Sequence, residues 1–352
     1  MDAGQLHLKT SLLKVDPLAP QPSLIARAAR LIKNGEVVAF PTETVYGLGA
    51  DATNDLAVEK IFEAKGRPSD NPIIVHISSV GELGKVVRNP SPKVVEFVSY
   101  YWPGPLTVIF KKSSSISYRV TAGLETVAVR MPAHPVALAL ISASGRPIAA
   151  PSANISGRPS PTSAQHVVED LDGRIPLVLD GGETHYGVES TVIDISGETP
   201  VLLRPGPITT ADLSPLLGEF GEPGHVHRER PIAPGMKYVH YAPNAPLTLV
   251  LGKPNGIVDK VLDLAKRSGS SESKIGVLCT DETYSRYPPD FVRLSLGSRF
   301  APYEMLRNLY RCLRFFDKAK VSAIYAEGFD EIGINATLMN RLRKAATSVV
   351  ET

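Results

Sequence analysis

Cysteine is scarce in this sequence, with Cys279 and Cys312 the only two among 352 residues. Two cysteines cannot build a disulfide scaffold, and their spacing excludes a Cys-x-x-Cys zinc site. The chain also lacks an apolar run of the roughly 18 residues that a membrane-spanning helix needs. Its first fifteen residues contain neither a long apolar core nor a small-residue cleavage site, so they do not predict a secretory signal. We expect a cytoplasmic protein without a membrane segment.

Several familiar catalytic motifs are also missing. The sequence contains no P-loop, no G-x-S-x-G elbow, no H-E-x-x-H zinc motif and no G-x-G-x-x-G dinucleotide fingerprint. His225 and His227 form an H-x-H pair, but the residues around them supply no obvious third ligand. The sequence therefore predicts no protein-bound metal.

Proline is abundant and unevenly distributed. Of the 30 prolines, 26 precede residue 247, as do all eight histidines. Residues 1–246 carry a net charge of −2 and residues 247–352 a net charge of +4. The length and these differences indicate two domains. We predict a first domain over 1–217, a linker over 218–246 that is rich in Gly and Pro, and a C-terminal domain over 247–352.

Apolar strands and helices alternate irregularly in the first domain, which predicts an α/β sheet with antiparallel pairs and long loops. There we predict a helix over 22–35 capped by Ser23, a loop over 41–50 and a helix over 80–88. Beyond residue 246 the alternation is regular, and it predicts a small doubly wound parallel sheet.

The segment KGRPSDNPIIVHI (65–77) places two cations, Lys65 and Arg67, at the predicted end of a helix. Pro68 and Pro72 stiffen the chain that follows, so its polar groups lose little entropy when they bind. Ammonium and guanidinium groups match phosphate oxygens, and this loop therefore suits a polyphosphate. The cations could also merely complement the helix dipole.

Three further polar segments border apolar strands. PTETVYGLGA (41–50) offers three hydroxyls and the carboxylate of Glu43, and AAPSANISGRPSPTSA (149–164) offers hydroxyls and amides suited to an anion nest. In the third, GVESTVIDI…VLLRPGP (187–207), Arg204 closes a predicted strand, as Arg130 does in 121–134, and charged residues at strand ends often belong to a site. Each signal alone is also consistent with a polar surface turn. Together they predict a concave pocket for a small anion such as a nucleoside triphosphate.

Six motifs in this order resemble the YrdC-type L-threonylcarbamoyladenylate synthases. They are FPTETVYGLGA, KGRPSDNPIIVHI, WPGPLT, TVAVRMPAHP, IAAPSANISGRPSPT and GVESTVID with LLRPGP, and APGMKYVHYAP (233–243) is similar to the longer, two-domain form. The resemblance implies a YrdC-like twisted mixed sheet with an open cleft, followed by a Rossmann-like domain. It implies a nucleotidyltransferase that converts L-threonine, bicarbonate and ATP into threonylcarbamoyl-AMP and pyrophosphate, with Mg²⁺ accompanying ATP.

The same resemblance implies the site residues. Lys65 and Arg67 would be catalytic, and the L-threonine pocket would comprise Thr44, His76, Arg130, Ala150 and Ser190. ATP would contact Arg67, Asn71, Thr126, Ser152, Ser160, Arg204 and Ala233. The product would pass to a separate complex that modifies the adenosine next to the anticodon of tRNAs reading codons that begin with A. Contact with tRNA is not required.

The linker suggests a lid. Its residues Lys237, Tyr238, His240 and Tyr241 would cover the cleft and exclude water from a hydrolysable adenylate. Two alternative functions are an RNA-binding module and a carbamoyl transferase of the hydrogenase-maturation type. The net charge of −2 on residues 1–246 argues against the RNA-binding module. The lack of cysteine clusters argues against the carbamoyl transferase. A ligand-sensing role for residues 247–352 stays open.

Overall fold

The computed structural model describes residues 9–221, 241–267 and 274–352. The backbone divides into two compact units. The first comprises Met1–Ser156, Ser160–His185 and Glu189–Lys237, and the second comprises Gly157–Pro159, Tyr186–Val188 and Tyr238–Thr352. The domain boundaries at residues 217 and 247 stay predictions.

The first unit is built on a ten-stranded sheet. Its strands are β1 (Ser11–Lys14), β2 (Val38–Phe40), β3 (Gly47–Asp51), β4 (Val75–His76), β5 (Leu106–Lys111), β6 (Thr126–Arg130), β7 (Ile148–Ala149), β8 (Leu177–Asp180), β9 (Thr191–Asp194) and β10 (Val201–Arg204). Their order across the sheet is β1-β8-β2-β3-β7-β4-β6-β5-β9-β10, with parallel and antiparallel pairs. The mixed α/β sheet predicted from the sequence is confirmed.

Seven α-helices accompany this sheet among the described residues. They are α1 (Pro22–Lys33), α2 (Asp55–Lys65), α3 (Leu83–Val86), α4 (Pro92–Tyr101), α5 (Pro135–Ser144), α6 (Ala164–Leu171) and α7 (Thr210–Leu217). Apolar residues of α1 and α5 pack with those of β2 and β8 in one buried cluster. A second cluster gathers apolar residues of α2, α4, α6 and strands β2 to β9. The two clusters bury the sheet and leave the loops between strands to carry the polar site.

Three local predictions for this unit were wrong. Gln21, rather than Ser23, is the N-cap of α1, because Pro22 takes the first helical position, where its missing N–H costs nothing. Residues 80–88 form a 3₁₀ turn (Val80–Glu82) followed only by the four-residue α3, since two glycines weaken the segment. The second half of the predicted loop 41–50 is strand β3.

Strand β3 depends on glycine for its close packing. A Cβ atom on Gly49 would lie 2.6 Å from the side chain of Ile148 and 2.7 Å from the ring of Phe40. The chain therefore approaches its neighbours in β2 and β7 more closely than any larger residue permits. Glycine in a polar segment predicted a loop, but the close packing against β2 and β7 makes these residues a strand.

The second unit contains a five-stranded parallel sheet. Its strands are β11 (Leu247–Leu251), β12 (Ile275–Cys279), β13 (Val292–Ser295), β14 (Ala323–Glu327) and β15 (Ser348–Glu351), in the order β13-β12-β14-β11-β15. Its described helices are α8 (Pro254–Arg267), α9 (Asp281–Tyr284), α10 (Pro302–Ala319) and α11 (Asn335–Ala345). The predicted doubly wound parallel sheet is confirmed. Strand β15 escaped prediction because it is short, mostly exposed and at the sheet edge.

Some predicted features lie outside the described residues. They are the histidine pair His225 and His227, the ATP contact at Ala233, and the lid residues Lys237, Tyr238 and His240. None of the helices in the described part of the chain is long and apolar enough to span a bilayer.

Candidate active site

The loop that joins β2 to β3 places three buried polar side chains in succession: Thr42, Glu43 and Thr44. Thr42 Oγ1 donates a hydrogen bond of 2.6 Å to the carbonyl oxygen of Val45 and lies 2.8 Å from Thr44 Oγ1. The loop is thus closed on itself by hydroxyl groups. These hydrogen bonds within the loop fix the orientation of the Glu43 and Thr44 side chains.

Arg130, the last residue of β6, meets this loop. It is 3% exposed, and its Nη1 donates to Thr44 Oγ1 at 2.9 Å while its Nε donates to the carbonyl oxygen of Gly104 at 3.2 Å. Its Nη2 lies 2.7 Å from Glu43 Oε1 in a buried ion pair. The structure therefore brings together the predicted threonine-pocket residues Thr44 and Arg130, and it adds Glu43 to them.

His76 is the sheet neighbour of Arg130, since the two residues pair in register across parallel strands β4 and β6. Burial, followed by the positive charge of Arg130, lowers the pKa of His76 from 6.5 to about 3. The imidazole is therefore neutral at physiological pH and acts only as a hydrogen-bonding group. Its Nδ1 has no hydrogen-bond partner within the described parts of the chain.

A second cluster joins Ser190, Thr107 and Arg204. Ser190 Oγ lies 2.7 Å from Thr107 Oγ1 and accepts a hydrogen bond of 3.2 Å from Arg204 Nη2. Arg204 Nε also donates to the Ser190 carbonyl oxygen at 3.1 Å. All three side chains are buried. The structure therefore brings the predicted residues Ser190 and Arg204 together in one hydrogen-bonded cluster.

The turn at Gly104 and Pro105 connects the two clusters. Gly104 N donates to Met131 O, next to Arg130, and Pro105 O accepts from Thr191 N, next to Ser190. Backbone hydrogen bonds of 2.8 and 2.9 Å therefore link the segments that carry the two arginines. This turn belongs to the WPGPLT motif, from which the sequence reasoning selected no site residue.

Lys65 lies at the end of α2, and its charge is directed at the loop that follows β7. Its Nζ donates to the carbonyl oxygens of Ser152 and Asn154, at 2.5 Å each, and the side chain is 2% exposed. The structure thus brings Lys65 and Ser152 together. Ala150, at the start of the same loop, donates its backbone N–H to Ile74 O beside β4.

The predicted ATP residues Arg67 and Asn71 share one loop. Arg67 Nη2 donates to the carbonyl oxygens of Asn71 and Pro72, at 3.2 Å each. The Asn71 side chain is buried, and its Oδ1 has no hydrogen-bond partner among the residues that the structure describes. A buried acceptor of this kind needs a donor, which a ligand can supply.

Two predicted residues stand apart from these clusters. Thr126 begins β6 opposite Lys111, at the other end of the strand from Arg130, about 13 Å away at the usual rise of a strand. Ser160 is buried and donates to Glu189 Oε1 at 2.5 Å. The structure does not join either residue to Arg130 by a hydrogen bond among the described residues.

Glu43, Thr42 and Thr107 are the polar residues that sequence reasoning left out of its site. A carboxylate three residues after a buried strand is one signal for Glu43, and a single hydroxyl inside the apolar strand LTVIF is one for Thr107. Their partners are distant in sequence, however. Only the fold shows that Arg130 contacts Glu43 and that Ser190 contacts Thr107.

Comparisons with known proteins cover nearly the whole chain. The family model Sua5/YciO/YrdC, described as "Telomere recombination", matches residues 30–206, and the model "Threonylcarbamoyl-AMP synthase, C-terminal domain" matches residues 208–347. The threonylcarbamoyl-AMP synthase of Bacillus subtilis is 50% identical over 94% of this chain and 95% of its own length. The synthase of Pyrococcus abyssi is 48% identical over 91% of this chain and 93% of its own.

A solved structure agrees with these relatives. The crystal structure of P. abyssi Sua5 complexed with L-threonine superposes with a TM-score of 0.91, at 44% identity, over 97% of this chain and all of that one.

Proposed function

The chain belongs to the threonylcarbamoyl-AMP synthase family, and we propose that it condenses L-threonine, bicarbonate and ATP into threonylcarbamoyl-AMP, pyrophosphate and water. In this reaction the threonine nitrogen is carboxylated to a carbamate. A carbamate oxygen then attacks the α-phosphorus of ATP, and pyrophosphate leaves. The Mg²⁺ ion that accompanies ATP neutralises charge on the phosphates.

The observation that carries the proposal is the placement of Arg130. Its guanidinium is oriented by Thr44, Glu43 and the Gly104 carbonyl, and it lies beside a neutral imidazole, His76. A fixed guanidinium is the best partner that a protein offers to an amino-acid carboxylate. A neutral histidine adds a hydrogen-bonding group without adding a charge, which suits a polar but uncharged side chain such as that of threonine.

The reaction brings two anions together, so positioning and electrostatic stabilisation supply most of the rate. On the amino-acid side we assign Thr44, His76, Arg130, the backbone at Ala150, and Ser190. On the ATP side we assign Arg67, Asn71, Thr126, Ser152, Ser160, Arg204 and Ala233. Lys65 contributes by shaping the loop that carries Ser152, because its ammonium is bound to the carbonyl oxygens of that loop.

We assign the product to the modification of tRNA. It would transfer its threonylcarbamoyl group, through a separate complex, to the adenosine next to the anticodon of tRNAs that read codons beginning with A. The synthase itself need not contact tRNA. We assign the protein, with this role, to the cytoplasm.

The test is pyrophosphate release from the full-length protein. We expect release only when ATP, bicarbonate and L-threonine are all present. Arg67→Ala and Arg130→Ala should each abolish the threonine-dependent signal, whereas Arg27→Ala, on the exposed face of α1, should not change it. Release that is independent of threonine would contradict the proposal.

A further inference from the structure

Unpartnered polar atoms concentrate at the contact between Glu43 and Arg130. Glu43 Oε1 and Oε2 and Arg130 Nη2 are all buried, yet none makes an aligned hydrogen bond with any residue that the structure describes. Oε1 and Nη2 lie 2.7 Å apart, so the two charges are paired, but in poor geometry. Buried polar atoms normally have partners, and a group of three without them indicates the position of a ligand.

The neighbouring hydroxyls show which kind of ligand group fits. Thr42 gives its only hydroxyl hydrogen to the carbonyl oxygen of Val45, so in the contact between Thr42 and Thr44 it is Thr44 that donates. Thr44 Oγ1 also accepts from Arg130 Nη1. Thr44 therefore has no hydrogen left for a ligand and can only accept one further hydrogen bond.

Glu43 and Thr44 are neighbours in the sequence and both contact Arg130, Glu43 through Oε1 and Thr44 through Oγ1. Glu43 Oε2 and the remaining lone pair of Thr44 Oγ1 are two acceptors that these contacts leave open. An ammonium group carries three donors and a positive charge, and it satisfies both. We propose that Glu43 and Thr44 bind the α-ammonium group of the amino-acid substrate, with Glu43 Oε2 as its charged partner. The assignment rests on the proposed synthase function and adds a residue to its substrate pocket.

The pair also complements the substrate as a whole. A free amino acid is a zwitterion. Glu43 and Arg130 offer the two opposite charges, a carboxylate for the ammonium group and a guanidinium for the carboxylate. Arg130 has five N–H donors: Nε and one hydrogen of Nη1 make hydrogen bonds, and one hydrogen of Nη2 faces Glu43 Oε1 in the poorly aligned ion pair. The two others are available to a substrate carboxylate. Each substrate charge therefore meets an opposite charge already oriented by the protein.

The experiment compares two ligands that differ only in the amino group. Binding of L-threonine and of (R)-3-hydroxybutanoate, which lacks that group, is measured by calorimetry on the full-length wild type and on Glu43→Gln. We expect the variant to bind L-threonine about 10- to 100-fold more weakly, as for the loss of a charged hydrogen bond. Its affinity for (R)-3-hydroxybutanoate should change by less than about twofold, because that ligand never contacts Glu43 through an ammonium.

Two controls accompany the comparison. Glu36→Gln makes the same chemical change in a partly exposed ion pair with Lys60, and it should leave both affinities unchanged. An unchanged affinity for ATP shows that Glu43→Gln is folded. Should that variant not fold, Glu43→Asp keeps the charge but shortens the side chain, and the same selective loss of L-threonine binding is expected.

Equal losses for both ligands would overturn the proposal, because Glu43 would then act only by holding Arg130. An unchanged affinity for L-threonine would overturn it as well. Failure of the wild type to bind L-threonine or to release pyrophosphate is a different result, and it would refute the proposed function itself.

Discussion

Lys65 ties the last turn of α2 to Asn154, since its Nζ donates to the Asn154 carbonyl oxygen at 2.5 Å. A second bond of equal length reaches the carbonyl of Ser152, 87 residues away in the sequence. Both acceptors belong to the loop in which Ser152 is assigned to ATP. The lysine thus acts as a buried brace for a binding loop, and its removal should alter the loop before it alters any chemistry.

Lys65→Met should therefore destabilise the first unit. It leaves the buried carbonyl group of Asn154 and the partly buried one of Ser152 without their donor, at a cost of about 1–3 kcal/mol. The single tryptophan, Trp102, is buried in the first unit, so its fluorescence in a urea titration reports the unfolding of this unit. Lys60→Met, in a partly exposed ion pair, is the matched control and should change the unfolding free energy by less than about 0.5 kcal/mol. A Lys65→Met variant of wild-type stability would refute the brace.

Thr107 orients Ser190 by a hydrogen bond of 2.7 Å inside the core. Thr107→Val preserves the shape but leaves the Ser190 hydroxyl with Arg204 alone, so we expect a raised KM for L-threonine with little change in that for ATP. Thr107→Ser retains the hydroxyl and should behave like the wild type. The KM is measured from steady-state pyrophosphate release over a range of L-threonine concentrations. An unaltered KM in Thr107→Val would show that Ser190 does not need this partner.

His76 should make folding stability depend on pH. Its pKa is about 3 in the folded protein and 6.5 in an unfolded chain, so only the unfolded chain binds the extra proton between these values. The contribution is fully present above pH 6.5 and is lost as the pH falls towards 3, by at most about 1.4 kcal/mol per pH unit. Because the imidazole is neutral throughout, His76 should add no titration to the activity between pH 6 and 9.

Urea unfolding monitored by Trp102 between pH 4.5 and 7.5 checks this dependence. His76→Gln should flatten the loss of stability below pH 6.5, because it removes the imidazole whose pKa burial lowers. Equal slopes in the wild type and in His76→Gln would contradict the assignment.

Gly206, after β10, lies against the backbone of the Ser190 segment. A Cβ atom there would be 2.2 Å from Thr191 N and 2.6 Å from the Ser190 carbonyl carbon. Gly206→Ala should therefore displace Ser190, destabilise the first unit by about 1–3 kcal/mol and reduce pyrophosphate release at least tenfold. Gly84→Ala, where a Cβ meets nothing within 4 Å, should cause no loss in either assay. Full activity in Gly206→Ala would show that the Ser190 segment yields freely.

Sequence patterns identified the segments that form the site but not its internal contacts. The loop 41–50 and the strand ending at Arg130 stand out because polar residues there interrupt apolar runs. Their contact joins Arg130 to Thr44 across 86 residues, and no local pattern encodes such a distance. For the same reason Lys65 resembled a phosphate ligand in the sequence, whereas the fold gives its ammonium two carbonyl partners.

Strand predictions failed where packing overrode composition. Gly47 and Gly49 favour a turn by their own preferences, yet in β3 they allow β2 and β7 to approach. Glu43 shows the converse: the sequence contained the carboxylate, but its importance arises from burial against Arg130. Burial of a charge is a property of the whole fold, so a motif alone cannot reveal it.

The edge strand β1 also determines when the first unit can form. It pairs with β8, and Thr10 beside it donates to the carbonyl oxygen of Ile175, 165 residues further along the chain. At a translation rate of about 5–20 residues per second, a ribosome needs roughly 10–30 s to deliver that partner. During this time a nascent chain exposes β1 and the apolar strand β2, which also pairs with β8. Expression of the protein should therefore depend on chaperones that bind nascent chains.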